Sequence, residues 1–77
     1  AADVLRLRAL AAQLAGQPGD AVGYALAAFR KAPSTQTLLE LSALQRATGN
    51  AGEARKTLRN WISAAPTDVA VRLALAN

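Results

Sequence analysis

The feature that most constrains this chain is a repeat of its helix-breaking residues at an interval of 33 positions. Gly16 recurs as Gly49, and Pro33 recurs as Pro66. Apolar type recurs at the same interval at Ala25 and Leu58, and at Phe29 and Ile62. Gly and Pro punctuate local structure more strongly than other residues, so a repeat of both at one offset predicts a repeated structural unit. Two full units and the opening of a third fit into 77 residues.

The spacing of apolar residues predicts two helices in the first unit. The first helix, from about residue 3 to residue 15, has apolar residues at helical spacing: Leu7, Leu10, Ala11 and Leu14. Gly16 ends this helix, and Pro18 suits the first turn of the next helix, where a missing N–H is harmless. The second helix must stop before Pro33. Its apolar stripe comprises Ala21, Tyr24, Ala25, Ala28 and Phe29.

The second unit repeats this arrangement. Ser34 or Thr35 can cap a third helix, whose apolar residues are Leu38, Leu41 and Leu44, with Ala47 as a further candidate. Asn50 stands three residues before Glu53, which is the spacing of a capping box at the start of a fourth helix. The apolar stripe of the fourth helix comprises Ala51, Ala54, Leu58, Trp61, Ile62 and Ala65.

After Pro66, Thr67 is the expected cap of a fifth helix that contains Val69, Leu73 and Ala76. The predicted fold class is therefore all-α, with about five helices and breaks near residues 16–18, 33–34, 49–50 and 66–67. The composition agrees, because Ala and Leu provide most of the 52% hydrophobic content and are strong helix formers.

The composition also limits the chemistry that the chain can perform. It has no Cys and no His, which removes thiol chemistry, disulfides and the usual zinc ligands. The carboxylates lie on different helices and turns, at Asp3, Asp20, Glu40, Glu53 and Asp68. They form no general acid–base pair and no metal set. We therefore predict that the chain is not an enzyme and has no catalytic, cofactor-binding or metal-binding residues.

A net charge of +4 leaves one alternative function open. Arg55, Lys56 and Arg59 form a basic cluster on the predicted fourth helix, which favours a basic helical-repeat module that binds nucleic acid or another polyanion. Solvated helix faces account for the same residues without any ligand. The aromatic residues stand at core-like spacing rather than at positions for base stacking.

The interval between the repeated helix–turn–helix units resembles that of the tetratricopeptide repeat (TPR) family. Residues that match its pattern in the first unit are Leu5, Ala9, Gly16, Ala21, Ala28 and Pro33. In the second unit they are Leu41, Ser42, Gly49, Ala54, Leu58 and Pro66. The resemblance implies an α-solenoid of antiparallel hairpins: residues 2–33, residues 34–66, and residues 67–77 as the first helix of a truncated third repeat. Trp61 departs from the pattern, which has a small Ala there.

In TPR arrays the first helix of each hairpin lines a concave groove. Carried over by position, the candidate peptide-binding residues are Asp3, Arg6, Leu10, Gln13, Gln36, Leu39, Glu40, Ala43, Arg46 and Asn77. The resemblance thus implies a protein–protein interaction scaffold with a protein or peptide partner.

The stretch from residue 32 to residue 77, with "LRNW" and "AVRLALA", is also similar to bacterial TPR proteins of the PEP-CTERM/exosortase system. That similarity implies a role in exopolysaccharide export or surface protein sorting, and a periplasmic or outer-membrane-attached location; a cytoplasmic location is expected otherwise. Because the chain lacks Met and stops in mid-pattern, we expect it to be a piece of a longer protein. No apolar run approaches the roughly 20 residues that span a bilayer.

Two expectations concern packing near the fifth helix. Trp61 should be buried between the second hairpin and this helix, where Ala70 and Ala74 leave room. The fifth helix has apolar residues on more than one side, at Val69, Val71, Leu73 and Leu75. One face should pack near Trp61 while another stays open, which predicts self-association through this helix.

Overall fold

The computed structural model describes residues 2–76, with side chains from residue 3 onward. This part of the chain has no strand and consists of five helices: α1 (Ala2–Leu14), α2 (Pro18–Lys31), α3 (Thr35–Ala47), α4 (Ala51–Ala64) and α5 (Val69–Ala76). The predicted all-α fold and the positions of its four breaks are confirmed. The helices repeat as the landmarks do, because α3 and α4 begin at the positions of the second unit that correspond to the starts of α1 and α2.

The two repeated glycines end helices in the same way. Gly16 has a φ of 75° and Gly49 a φ of 84°, a backbone conformation that glycine adopts without steric cost. In both turns the next amide reaches back to the last turn of the helix, with Gln17 N donating to Ala12 O and Asn50 N to Gln45 O, each at 2.8 Å. This pattern is the glycine-terminated helix end that the sequence predicted.

The caps at the helix starts follow the prediction at α3. Ser34 caps α3, because its hydroxyl accepts from the amide of Thr37 at 3.1 Å while Thr37 Oγ1 accepts from the amide of Ser34 at 3.1 Å. Pro18 is the first residue of α2, as expected.

Two predicted caps are wrong. The side chain of Asn50 caps nothing at the start of α4 and instead donates to Thr48 Oγ1 at 3.2 Å. Thr67 lies in a turn closed by the Asp68 amide, which donates to Ala65 O, so α5 begins one residue later than expected. Asp68 takes the capping role there, since its Oδ1 accepts from Val71 N at 3.3 Å.

Each helix packs against the next one along the chain, and α3 also packs against α5. The connections that join α1 to α2, α2 to α3, and α3 to α4 are equally short, as is typical of helical hairpins. In contrast, no Cα atom of α1 lies within 8 Å of a Cα atom of α3 in the described chain, and the same holds for α2 and α4. The backbones of α1 and α3, and those of α2 and α4, are therefore held apart in the described chain.

The buried residues form two clusters. The first cluster, which we call the first core, consists of Ala9, Ala12, Ala21, Ala25, Leu41 and Leu44. The second core is the set Leu38, Leu58 and Val71, packed against half-buried residues that include Trp61 and Ile62. Phe29 contacts both cores. The buried apolar stripe that the sequence predicted for α2 is confirmed, with Ala21, Ala25 and Ala28 buried.

The predicted apolar stripe of α1 is not the buried one. Leu7, Leu10 and Leu14 are 66%, 52% and 81% exposed, whereas Ala9 and Ala12 are buried against α2. Both sets have helical spacing, so periodicity alone does not select between them. Packing alanine against the alanines of α2 allows the two helices to approach closely and leaves the leucines outside. Four alanines of the predicted stripes, Ala11, Ala47, Ala51 and Ala76, are also exposed.

Near α5 the outcome is mixed. Trp61 is half-buried rather than buried, and Ala70 is exposed and makes no room for it. The indole packs against the second core and meets the Phe29 ring in an edge-to-face arrangement, at 5.8 Å between centroids. The expected open face of α5 is confirmed, because Val71 is fully buried while Val69 and Leu73 are 66% and 62% exposed.

Candidate binding cleft

A cleft of about 530 Å³ lies between α1 and α3. Its lining residues are Asp3, Arg6, Leu7, Ala9, Leu10, Gln13, Ala25, Glu40, Ala43 and Leu44. We call this space the α1–α3 cleft. It exists because α1 is held by α2 and does not approach the backbone of α3. Buried residues of the first core, namely Ala9, Ala25 and Leu44, form its base.

The walls of the cleft are mainly apolar. Leu7 and Leu10 line it and remain more than half exposed, so both side chains can gain contacts with a bound molecule. Among the described residues, the exposed large hydrophobics lie on two helices, α1 and α5: Val4, Leu7, Leu10, Leu14, Val69 and Leu73. Clustered exposed apolar side chains are typical of interaction surfaces.

An ion pair bridges the cleft from α1 to α3. Arg6 Nε donates to Glu40 Oε1 and Arg6 Nη2 to Glu40 Oε2, both at 2.8 Å. This bidentate geometry fixes the orientation of both groups. The hydrogen bonds to Glu40, and then its charge, raise the pKa of Arg6. Asp3 lies at the edge of the pair, with its Oδ1 3.4 Å from Arg6 Nη1 and its side chain 86% exposed.

The pair is open to solvent on both sides. The side chain of Arg6 is 32% exposed and that of Glu40 is 40% exposed. Exposed ion pairs contribute little to stability, because water screens the charges and long side chains lose entropy. The pair therefore links α1 to α3 only weakly, and it presents polar groups at the cleft.

The structure brings together six of the ten groove residues inferred from the TPR resemblance: Asp3, Arg6, Leu10, Gln13, Glu40 and Ala43 all line the α1–α3 cleft. Three others lie elsewhere. Leu39 packs against the second core, Gln36 is exposed, and Arg46 donates from Nη2 to Ala74 O at 2.9 Å. Asn77 lies outside the described residues.

Four lining residues were missed at the sequence level: Leu7, Ala9, Ala25 and Leu44. Ala9, Ala25 and Leu44 belong to the first core, and only the gap between α1 and α3 makes them reachable. Leu7 had a signal, because it stands three residues before Leu10, on the same side of the helix.

A second, smaller cleft of about 440 Å³ lies between α2 and α4, next to Phe29 and Trp61. Thr57 Oγ1 donates to Gln45 Oε1 at 3.1 Å across its lining. The basic cluster on α4 lies outside this cleft. All three of its residues, Arg55, Lys56 and Arg59, are exposed, as a polyanion site would require.

The described residues contain no cluster of three or more His, Cys, Asp or Glu side chains that could hold a metal ion. None of the helices in the described range combines the length and apolar character of a membrane span. Searches of protein-family models, curated proteins and solved structures found no match to this chain.

Proposed function

We propose that this chain is a protein–protein interaction scaffold built from TPR-like helical hairpins, and that the α1–α3 cleft is where it binds. The helix bounds support a repeated hairpin, since α3 and α4 begin at the same repeat positions as α1 and α2. The observation that carries the proposal is the cleft itself, an apolar gap between successive first helices with Leu7 and Leu10 exposed at its wall.

The cleft suits a peptide segment with apolar side chains. Leu7 and Leu10 stand three residues apart on one helix face, a spacing at which side chains are neighbours. Complete burial of a leucine side chain contributes about 1.5–3 kcal/mol. Asp3, Arg6 and Glu40 add polar groups that can orient the segment and distinguish one sequence from another. Partner helices that lay an apolar face into a groove use this combination.

A displayed library of random peptides, selected on the folded 77-residue chain, tests the proposal. We expect selected peptides to lose at least about tenfold in affinity on a Leu10→Glu variant, because the new carboxylate must be desolvated in an apolar wall. Leu14→Glu is the matched control, since Leu14 is 81% exposed on the same helix and does not line the cleft. Circular dichroism confirms that both variants fold.

Equal loss of binding in both variants, or no loss in either, would place the binding surface elsewhere. A chain that selects no peptide from the library would contradict the scaffold proposal.

The exposed cluster of Arg55, Lys56 and Arg59 supports the alternative function, binding to nucleic acid or another polyanion. Phosphate contacts are strongest at low salt, so the test is titration with single-stranded and duplex nucleic acid at low ionic strength. Replacing all three residues with Gln should remove any such binding and leave peptide binding in the cleft unchanged. No binding at low salt removes the alternative.

The similarity of residues 32–77 to TPR proteins of the PEP-CTERM/exosortase system supports a cellular context for the scaffold, namely exopolysaccharide export or surface protein sorting in a bacterium. Deletion of the gene should then reduce secreted polysaccharide or surface protein, and a version carrying Leu10→Glu should fail to restore it.

A further inference from the structure

We infer that the α1–α3 cleft binds α5 of a second copy of this chain. The inference rests on the proposed function, because it names the occupant of the same cleft. It follows from where the chain leaves its apolar side chains uncovered and from the charges that lie beside them.

The exposed large hydrophobics of the described chain lie on α1 and α5, and none lies on α2, α3 or α4. The molecule thus has two uncovered apolar surfaces, one at each side of its helix stack. Within one molecule these surfaces do not meet, because α5 packs on α3 and α4 and none of its Cα atoms lies within 8 Å of α1. A second copy supplies each surface with a partner.

The outer face of α5 has the form of a helix that docks into a groove. Val69 and Leu73 are one turn apart, so their side chains form one apolar edge on the side away from Val71, which is fully buried. Two anchors at this spacing match the wall formed by Leu7 and Leu10.

The charges beside the two surfaces are complementary. Arg72 lies next to Leu73, is exposed, and in the described chain forms no ion pair; its Nε donates only to the carbonyl of Pro66. On the cleft, both oxygens of Glu40 accept from Arg6, whereas the side chain of Asp3 is 86% exposed and meets Arg6 only through Oδ1, at 3.4 Å. An α5 helix seated in the cleft brings Arg72 of one copy to Asp3 of the other. The lining residues carry two carboxylates and one guanidinium, in a chain whose net charge is +4.

The two surfaces differ, so the contact is heterologous. After two copies join, one cleft and one α5 face remain open at the ends of the dimer, and further copies can add. The average mass should therefore rise continuously with concentration rather than level off at a dimer. Because the contact involves only one short helix, we expect weak association, with a Kd on the order of 0.1–1 mM.

Sedimentation equilibrium on two blocked variants tests this arrangement. Leu10→Glu blocks the cleft and Leu73→Glu blocks the α5 face, so each variant alone should remain a monomer of 8.0 kDa up to about 2 mM. An equimolar mixture should form a dimer that does not grow further, because only one open cleft and one open α5 face remain to pair. The control Leu14→Glu should associate as the unchanged chain does.

Three results would overturn the inference. The unchanged chain could remain monomeric at the highest concentration. Leu10→Glu alone could still dimerise, which would show that the contact does not use the cleft. The mixture of blocked variants could fail to associate. In each case, peptides selected on the unchanged chain that still lose affinity with Leu10→Glu leave the proposed function standing, so the two failures are distinguishable.

Discussion

The helices α1, α3 and α5 are the first helices of successive repeat units, and α1 and α5 are joined to α3 in different ways. On the α5 side the backbones approach, and short contacts join them: Thr35 Oγ1 donates to Asp68 Oδ2 and Arg46 donates to the carbonyl of Ala74. On the α1 side the backbones stay apart, and the long side chains of Arg6 and Glu40 span the gap. One helix is packed and the other is tethered.

The difference arises from the size of the buried side chains. α5 inserts Val71 into a core that already contains Leu38 and Leu58, so it is drawn against both α3 and α4. Among the described side chains of α1, only Ala9 and Ala12 are buried; they fit closely against α2 but do not extend to fill the space beside α3. A repeat of helix ends therefore sets where helices begin and stop, while the side chains between them set how close the helices lie.

The largest difference in the free energy of unfolding should come from replacing the leucine at one equivalent repeat position in α1 and in α3. Leu38 is 1% exposed, and Leu5, at the equivalent position of the first repeat, is half-buried. Leu38→Ala should lower the free energy of unfolding by about 3 kcal/mol, because it leaves a cavity in the second core. Leu5→Ala should cost about 1 kcal/mol, since part of that surface is already in water. Urea unfolding of both variants measures the difference, and equal losses would mean that α1 is packed as tightly as α3.

A smaller difference in stability should appear at acid pH between the two types of helix cap. Ser34 caps α3 with a neutral hydroxyl, whereas Asp68 caps α5 with a carboxylate. The hydrogen bond from Thr35, and then the one from Trp61 Nε1 at 2.9 Å, lower the pKa of Asp68. Because its folded-state pKa is below the unfolded value of about 4, this stabilisation is complete above that pH and is lost as the pH falls through the folded-state pKa.

Urea unfolding between pH 7 and pH 2 measures this loss against Asp68→Asn, whose side chain does not titrate. The stability difference between the two proteins should be constant above about pH 5 and should change below about pH 4. The other carboxylates are common to both proteins and cancel. A difference that stays constant down to pH 2 would show that the charge of Asp68 has no role in holding α5.

The smallest effect on stability should come from the wall of the cleft. Leu7→Ser removes a side chain that is 66% exposed, so the free energy of unfolding should change by less than about 0.5 kcal/mol. The same change should weaken peptide binding in the cleft. A stability loss above about 1 kcal/mol would instead assign Leu7 to packing within the molecule.

Much of the fold could be predicted from local sequence signals. Helix ends depend on Gly16, Gly49 and Pro18, whose conformational limits act within a few residues, and the structure places them as expected. The α2 stripe was also predictable, because its alanines are buried where their spacing placed them, and Val22 and Leu26 beside them also pack against the first core.

Two of the errors share one physical cause, a choice between two locally equivalent options. In α1, leucines and alanines both recur at helical spacing, and the close approach of α2 decides in favour of Ala9 and Ala12. At the start of α5, Thr67 and Asp68 are both good caps, and a turn closed at Ala65 decides in favour of Asp68. Part of the site could be predicted, because helical spacing determines which residues share the face that lines the cleft. The width of the cleft could not be predicted, because it depends on tertiary packing.

The tethered position of α1 has a consequence for how the molecule opens. Among the described helices, the α1 backbone approaches only α2, whereas the α3 backbone is approached by α2, α4 and α5. Segments with fewer neighbours open locally at a lower free energy than the whole molecule unfolds. The amides of α1 should thus exchange with solvent deuterium faster than those of α3, and α1 is the segment whose protection a bound partner would raise most, because one wall of the cleft is α1 itself.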